Sequence, residues 1–312
     1  MTRTISNTKI PYSTILLWIM GFLFTSFQAY AQRLEFQQTD STLVLLENSN
    51  PRFTYHIKTT SDSGKYPRTN YIHPLFDENG LAVTEDFPED HPHHRGIFWT
   101  WHQLYLNDER LADPWFCEGI TWEVNVIETT ISDSTATLKA RVIWTIDSKN
   151  NMPVIREDLS ITFKRIEAGI FSVAFDIQIL ALIEGISLGG SEDAKGYGGF
   201  SVRMNLPENP VFTGISGKVI PENLPVEAGD WIAIGPLKNN SQDSGLIIKA
   251  CPESIPGFLG WILRDKNSMQ NAAFPGRDPI LISKTIPLVL KNKVIIYQNT
   301  ELSKIIASGL LD

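Results

Sequence analysis

The stretch DFPEDHPHHRGIFWTWHQ, residues 86–103, holds four of the chain's six histidines: His91, His93, His94 and His102. His73 lies upstream, and residues 103–312 contain none. Imidazole titrates near neutral pH, so such a concentration suits proton transfer or metal ligation. Carboxylates lead into it: Glu85, Asp86, Glu89, and Asp90 directly before His91. A carboxylate beside an imidazole fixes its tautomer and favours its cation. Three chemistries fit. In the first, His91, His93 or His94 is a general acid or base, Asp90 orients a ring, and Arg95 holds an anionic or polyhydroxyl substrate. In the second, His91 and His93 bind a divalent metal completed by His73 or a carboxylate, because an H-x-H pair on a strand puts both rings on one face. A cupin-like site would want Glu about four residues on, where Ile97 and Phe98 stand. In the third, the imidazoles form a buried polar knot that fixes a loop.

Aromatic residues interleave with the histidines: Trp99, Trp101, Trp115 and Trp122 fall within 24 residues. Sugar rings stack on such faces while their hydroxyls meet polar groups, and a sandwich core uses the same residues as filling. A second stretch, GGSEDAKGYGGFSVR (189–203), is a glycine-rich loop running into a strand. It lacks the glycine–lysine–Ser/Thr order of a phosphate loop. Asp193, Lys195, Tyr197 and Arg203 on it can hold hydroxyls or a carboxylate, together with His73, Arg95 and His102. Asp90 and Asp193 would make a two-carboxylate glycosidase pair if the loops brought them about 5–10 Å apart. A third, weaker stretch, GWILRDKNSMQNAAFPGRDP (260–279), offers Trp261, Arg264, Asn271 and Arg277 in a turn-rich setting.

The elements that must position these groups read as strands. Period-two alternation marks 52–60, 135–146, 169–180, 199–206, 230–237, 244–250 and 287–298. Run extended, 93–102 puts His93, Arg95, Ile97, Trp99 and Trp101 on one face, with His94, Gly96, Phe98, Thr100 and His102 on the other. Turn signals separate the strands at 77–80, 147–151, 188–199, 238–245 and 274–279. Only 301–311 and the region 102–111 invite helix. The pattern predicts an all-β fold, a large antiparallel β-sandwich, and the length matches a supersandwich of the galactose-mutarotase type.

Residues 1–31 read as a secretory signal: Arg3 and Lys9, the apolar run 13–27, and the small residues AYA at 29–31. The expected mature chain is residues 32–312, one β-sandwich domain, periplasmic or secreted, with no later apolar run long enough to span a membrane. Losing Arg3 and Lys9 takes the formal charge from −8 to −10. That acidity argues against nucleic acid as a partner. Cys117 and Cys251, the two cysteines, can pair in an oxidising compartment or remain separate buried thiols. The nucleophile elbow of α/β-hydrolases and the dinucleotide fingerprint are absent.

Three stretches together resemble a family of exported bacterial proteins labelled PmoA-like, after a methane oxygenase: YIHPLFDENGLAVTEDFPEDHPHHRGIFWTW (71–101), DAKGYGGFSVRM (193–204) and WILRDKNSMQNAAFPGRDP (261–279). The resemblance covers most of the mature chain in order, and its His-Pro-His-His-Arg-Gly run is specific. It implies an exported β-sandwich similar to proteins that accompany sugar dehydrogenases and isomerases. The expectation is a carbohydrate-active enzyme, a glycoside hydrolase or lyase. In it His91, His93 or His94 moves protons beside Asp90. His73, Arg95, His102, Asp193, Lys195, Tyr197 and Arg203 hold a sugar-derived substrate, and Trp99 or Trp101 stacks on it. A sugar epimerase of mutarotase type, a non-catalytic glycan-binding sandwich and a metal-dependent enzyme stay open.

Overall fold

Strand alternation governs the chain, and nearly every regular element pairs antiparallel with its neighbour. The structure is a computed structural model and describes residues 33–251, 253, 255, 257–266 and 269–311. The expected signal segment 1–31 lies outside these residues. Among the described residues no helix is long and apolar enough to cross a membrane.

The larger sheet has nine strands and is built around long hairpins. Ile120–Ile131, Thr135–Ile146, Met152–Glu167 and Ile170–Ala181 form a four-strand meander, continued by Leu288–Gln298, Ser244–Ala250, Trp231–Gly235, Val211–Gly214 and Gly217–Val219. In Thr135–Ile146 the residues Ala136, Leu138, Ala140, Val142 and Trp144 are buried while Lys139 and Arg141 are exposed, which is the period-two pattern of a strand with one face on a core.

The second sheet has eight strands, in the order Leu34–Gln38, Thr42–Glu47, Asn50–His56, Ile72–Leu75, Ile97–Thr100, Gly199–Arg203, Met269–Ala273, Trp261–Ile262. A smaller sheet joins Ile280–Leu281, Ile186–Gly189, Gln103–Leu106 and Glu109–Ala112. One apolar cluster takes Leu45, Phe53, Trp99 and Phe200 from the eight-stranded sheet and Leu138, Trp144, Ile161 and Phe175 from the nine-stranded one. The fold is the large antiparallel β-sandwich that the alternation predicts.

Two local expectations fail. The region 102–111 is not helical: it is the hairpin Gln103–Leu106 and Glu109–Ala112. Its turn is Asn107-Asp108, with Asn107 at φ 52°, and Asn tolerates that left-handed conformation. Residues 93–102 are not extended throughout. The strand covers only Ile97–Thr100, and His93 lies in a turn before it. The alternating faces assigned to His93, Arg95 and His102 therefore do not exist.

Candidate functional site

The pairing order of the eight-stranded sheet builds the site. Ile97–Thr100 pairs with Gly199–Arg203, which pairs on its other edge with Met269–Ala273. The histidine-rich, glycine-rich and 260–279 stretches are thus three neighbouring strands with their flanking loops. At their ends is a cavity of about 520 Å³ lined by His91, His93, His94, Trp115, Phe116, Lys195, Tyr197, Arg264, Lys266 and Met269.

Arg95 and Gly96 anchor the histidine turn. Arg95 is fully buried. Its Nε donates to Asp86 Oδ1 at 2.5 Å, and its Nη2 donates to the hydroxyls of Tyr71 and Thr60. Its guanidinium lies 3.6 Å from the Phe87 ring centroid. With every face occupied, Arg95 is an anchor of the loop and not a substrate ligand, which corrects the role expected for it. Gly96 has φ 51°, and a Cβ there would stand 2.1 Å from the Ile72 carbonyl oxygen. The glycine lets the backbone cross the strand Ile72–Leu75 before Ile97 begins.

His91 Nδ1 lies 2.6 Å from Asp90 Oδ2. Arg203 grips the same carboxylate with two bonds, Nη2 to Oδ1 at 2.8 Å and Nη1 to Oδ2 at 3.1 Å, while its Nε donates to Glu85 Oε2 at 2.9 Å. Partial burial pushes the Asp90 carboxyl up, but the hydrogen bonds from Arg203 and His91 outweigh that and hold it below the usual carboxylate range. An ionised Asp90 accepts the Nδ1 proton, which leaves the His91 Nε2 lone pair free as a base. Arg203 is itself buried. It positions Asp90 and is not among the residues lining this cavity.

His93 and His94 stay neutral. Burial first, then the neighbouring imidazoles and cations, push His93 down to about 3 and His94 well below the ordinary value. The His91 and His94 rings stack with centroids 4.8 Å apart and planes 2° from parallel, and His93 meets His94 edge-on at 4.6 Å. An imidazole lone pair lies in its ring plane, so this stacking keeps His91 and His94 from sharing one ion, while the expected pair His91 and His93 meets edge-on at 5.7 Å. Among the described residues no group of three or more His, Cys, Asp or Glu side chains is placed to hold a metal ion. His73 is not part of the lining. Its Nδ1 meets Thr84 Oγ1 at 3.0 Å, and burial pushes it down to about 4. The set His91, His93 and His73 therefore does not fit a metal, and His73 does not reach the cavity as a substrate ligand.

The glycine-rich loop contributes Lys195 and Tyr197 to the same lining. Asp193 caps it by accepting from Ser191 Oγ and Lys195 N. Asp193 also pairs with Lys195 Nζ at 3.1 Å. Partial burial pushes Asp193 up, but these bonds hold it below the usual carboxylate range. It stays ionised and occupied, so it does not pair with Asp90 as a glycosidase acid. Lys195 and Tyr197 reach the cavity as expected. Burial, then Asp193 and Asp113, raise the Tyr197 phenol above its ordinary value, so it keeps its proton. The loop doubles back so tightly that a Cβ on Gly190 would meet the Gly196 carbonyl oxygen at 2.2 Å. Asn271, on the third strand, donates to the Gly198 and Phe200 carbonyls and fixes the loop from beneath.

The tryptophans divide differently from expectation. Trp99 and Trp101 are buried in the core. Their indole N–H groups donate to Glu157 Oε1 and the Phe274 carbonyl, and neither can stack on a sugar. The aromatic lining comes instead from Trp115, Phe116 and Tyr197. His102 lies behind them, stacked on Trp115 at 5.2 Å and paired through Nδ1 with Asp113 at 3.2 Å. It supports the wall and is not among the lining residues. Phe116 and Lys266 escaped the sequence reading. For Phe116 the available signal is the Asp113-Pro114 turn, where Asp113 Oδ1 accepts from the Trp115 and Phe116 backbone N–H groups. Cys117 is a buried thiol, and Cys251 is half-buried.

Comparison with known proteins adds a family. A family model described as "Family of unknown function (DUF6807)" matches residues 42–308. No methane-oxygenase family was found, and the PmoA-like membership expected from the motifs is corrected accordingly. No curated protein matches. Among solved structures, a "putative mutarotase (YeaD)" from Salmonella typhimurium is similar over 85% of this chain and 94% of its own, at 9% identity and a TM-score of 0.42. A heparan sulfate lyase HepC mutant from Pedobacter heparinus is similar over 87% of this chain and 36% of its own, at 9% identity and a TM-score of 0.40. Identity and superposition are both too low for either to bear on the chemistry of this site.

Proposed function

We propose that this chain, which belongs to the family of unknown function DUF6807, is an exported carbohydrate-active enzyme that eliminates across a glycosidic bond of a uronate-containing sugar. One observation carries the reading. A single cavity brings together the Asp90-oriented His91, the cations Lys195, Arg264 and Lys266 and the aromatic Trp115, Phe116 and Tyr197, and among the described residues no Asp or Glu lines it.

A two-carboxylate hydrolase needs one carboxyl held protonated and another free. Here Asp90 and Asp193 are both held ionised and both engaged. Elimination needs other groups. The cations neutralise the C5 carboxylate and so acidify the C5 proton. His91 Nε2 removes that proton. The C5–H electron pair forms the C4=C5 bond as the C4–O4 bond breaks. The departing oxygen takes a proton from a neutral acid, for which Tyr197 is placed in the same lining. Neutral His93 and His94 add no competing charge beside His91.

The test is to incubate the purified protein with a panel of uronate polysaccharides: galacturonan, alginate and glycosaminoglycans. Ultraviolet absorbance of the new C4=C5 bond and reducing ends are followed together. Both should rise in step. Reducing ends without absorbance would make the enzyme a hydrolase. Binding without either signal would leave a glycan-binding sandwich.

A further inference from the structure

The imidazole cavity does not end at its own walls. Phe116 is shared with a second cavity of about 760 Å³, lined also by Tyr66, Arg110, Asp113 and Glu118. Lys266 is shared with a third of about 420 Å³, lined also by Asp90, Arg203, Lys238 and Asp265. The middle cavity thus adjoins both others, with a phenylalanine ring as one partition and a lysine as the other. Sites of roughly 300–1,000 Å³ hold a drug-sized ligand, so three such cavities in continuity exceed the needs of one sugar ring.

The partition at Phe116 is built to stay in place. Its backbone N–H is held by Asp113 Oδ1, and the next residue, Cys117, sits at φ 59° with its N–H bonded to the Pro114 carbonyl. The Phe116 ring packs edge-on against His93 at 4.7 Å and His102 at 5.2 Å. It is nonetheless one of the exposed large apolar side chains. A fixed, exposed ring bordering two cavities is a stacking platform. Tyr66, whose ring lies 5.9 Å from His93, extends the aromatic surface into the second cavity. The charge also changes along the cleft. Among the described residues the middle lining has cations and no acid, whereas the outer linings mix both signs: Arg110 with Asp113 and Glu118 on one side, and Arg203, Lys238 and Lys266 with Glu85, Glu89, Asp90, Glu208 and Asp265 on the other. The centre selects an anionic group, and each flank offers both donors and acceptors to the units beside it.

We infer that the substrate is an oligosaccharide or polysaccharide chain lying through all three cavities, with the reacting unit in the middle and subsites at Tyr66–Phe116 and at Lys238. This rests on the elimination reading above. The test measures binding and kcat/KM for uronate oligosaccharides of two to six units, drawn from the same polysaccharide panel. Wild-type kcat/KM should rise by about tenfold or more with chain length, because remote binding energy is used at the reacting unit. Tyr66→Ala and Lys238→Ala should flatten that rise, and at least one of them should leave the value for the dimer unchanged, because a dimer's second unit fills only one flank. The Lys238 side chain is on the surface and bonds only Asn205 Oδ1 among the described residues, so that variant keeps the fold. A flat wild-type profile with active dimers would overturn the subsites and leave the elimination reading standing. Variants that lower dimer and hexamer equally would also overturn them. Absence of binding and turnover at every length would overturn both.

Discussion

His91 is set in place by a carboxylate that is itself clamped. Arg203 holds both oxygens of Asp90, and Asp90 holds Nδ1 of His91. The proton therefore sits on Nδ1, and Nε2 is the base. His91→Gln removes the base and keeps an amide that can still hydrogen-bond. Turnover should fall by about 10²–10⁴-fold while binding of a uronate oligosaccharide, followed by calorimetry, changes little. Arg203 acts only through Asp90, so Arg203→Lys tests positioning. Lysine replaces a planar fork with one point charge and cannot hold both oxygens and Glu85 together. kcat should drop by roughly 10–100-fold with KM nearly unchanged. A rise in KM with kcat intact would instead make Arg203 a substrate ligand. Lys195, Arg264 and Lys266 should carry the KM effects.

At the scale of elements, the site depends on the chain entering Ile97–Thr100 at one point. Gly96 crosses the Ile72 carbonyl there, and its N–H and C=O bond Glu85 O and Arg203 N. Gly96→Ala puts a methyl group into backbone at positive φ. It should destabilise by about 3 kcal/mol or more, read as a lower denaturant midpoint at unchanged m-value. A shift of a few tenths would mean that the crossing relaxes freely. The same crossing marks where the sequence was readable. Thr135–Ile146 and Ser244–Ala250 match the expected bounds to the residue; the first lays one face on the core, and the second is buried on both faces, with Leu246 and Ile248 in one apolar cluster and Ile247 in another. The histidine turn alternates by coincidence: Arg95 is tied by hydrogen bonds to Asp86 and Tyr71, and no strand period places it. Period-two patterning likewise cannot separate Trp99, which fills the core, from Trp115, which lines the cavity. The three chemically rich stretches were visible one by one. Their meeting was not, since it follows from strand order across more than a hundred residues of intervening chain.

At the scale of the whole molecule, the two sheets meet over a buried carboxyl. Glu157 of the nine-stranded sheet is fully buried. It accepts from Trp99 of the other sheet at 2.8 Å, from Trp144 at 2.9 Å and from Asn70 at 2.9 Å. Burial pushes its pKa up to about 7, against the lowering effect of those three bonds. In the unfolded chain it would titrate near the ordinary glutamate value of 4.5. The folded state therefore binds more protons between these values. Glu157's contribution to stability is full below about 4.5 and is lost as pH rises to about 7, on the order of 3 kcal/mol across that window. The buried imidazoles act with the opposite sign. His56, His73, His93 and His94 are all held below the ordinary histidine value of 6.5. Their contribution is present above 6.5 and is lost as pH falls towards about 4 for His73 and about 3 for His93. Four imidazoles outweigh one carboxyl below 6.5, and above it only Glu157 still changes, so the stability optimum should lie near pH 6.5. Glu157→Gln isolates the carboxyl. Gln must turn its amide NH₂ towards one of the two indole N–H donors, so before titration is counted the variant is less stable by about 1–3 kcal/mol. Urea midpoints of both proteins at pH 5, 6, 7 and 8 should show the gap narrowing as pH rises to about 7 and then levelling. A gap of constant width would mean that Glu157 titrates alike in the folded and unfolded chains, and that the two indoles hold it ionised within the core.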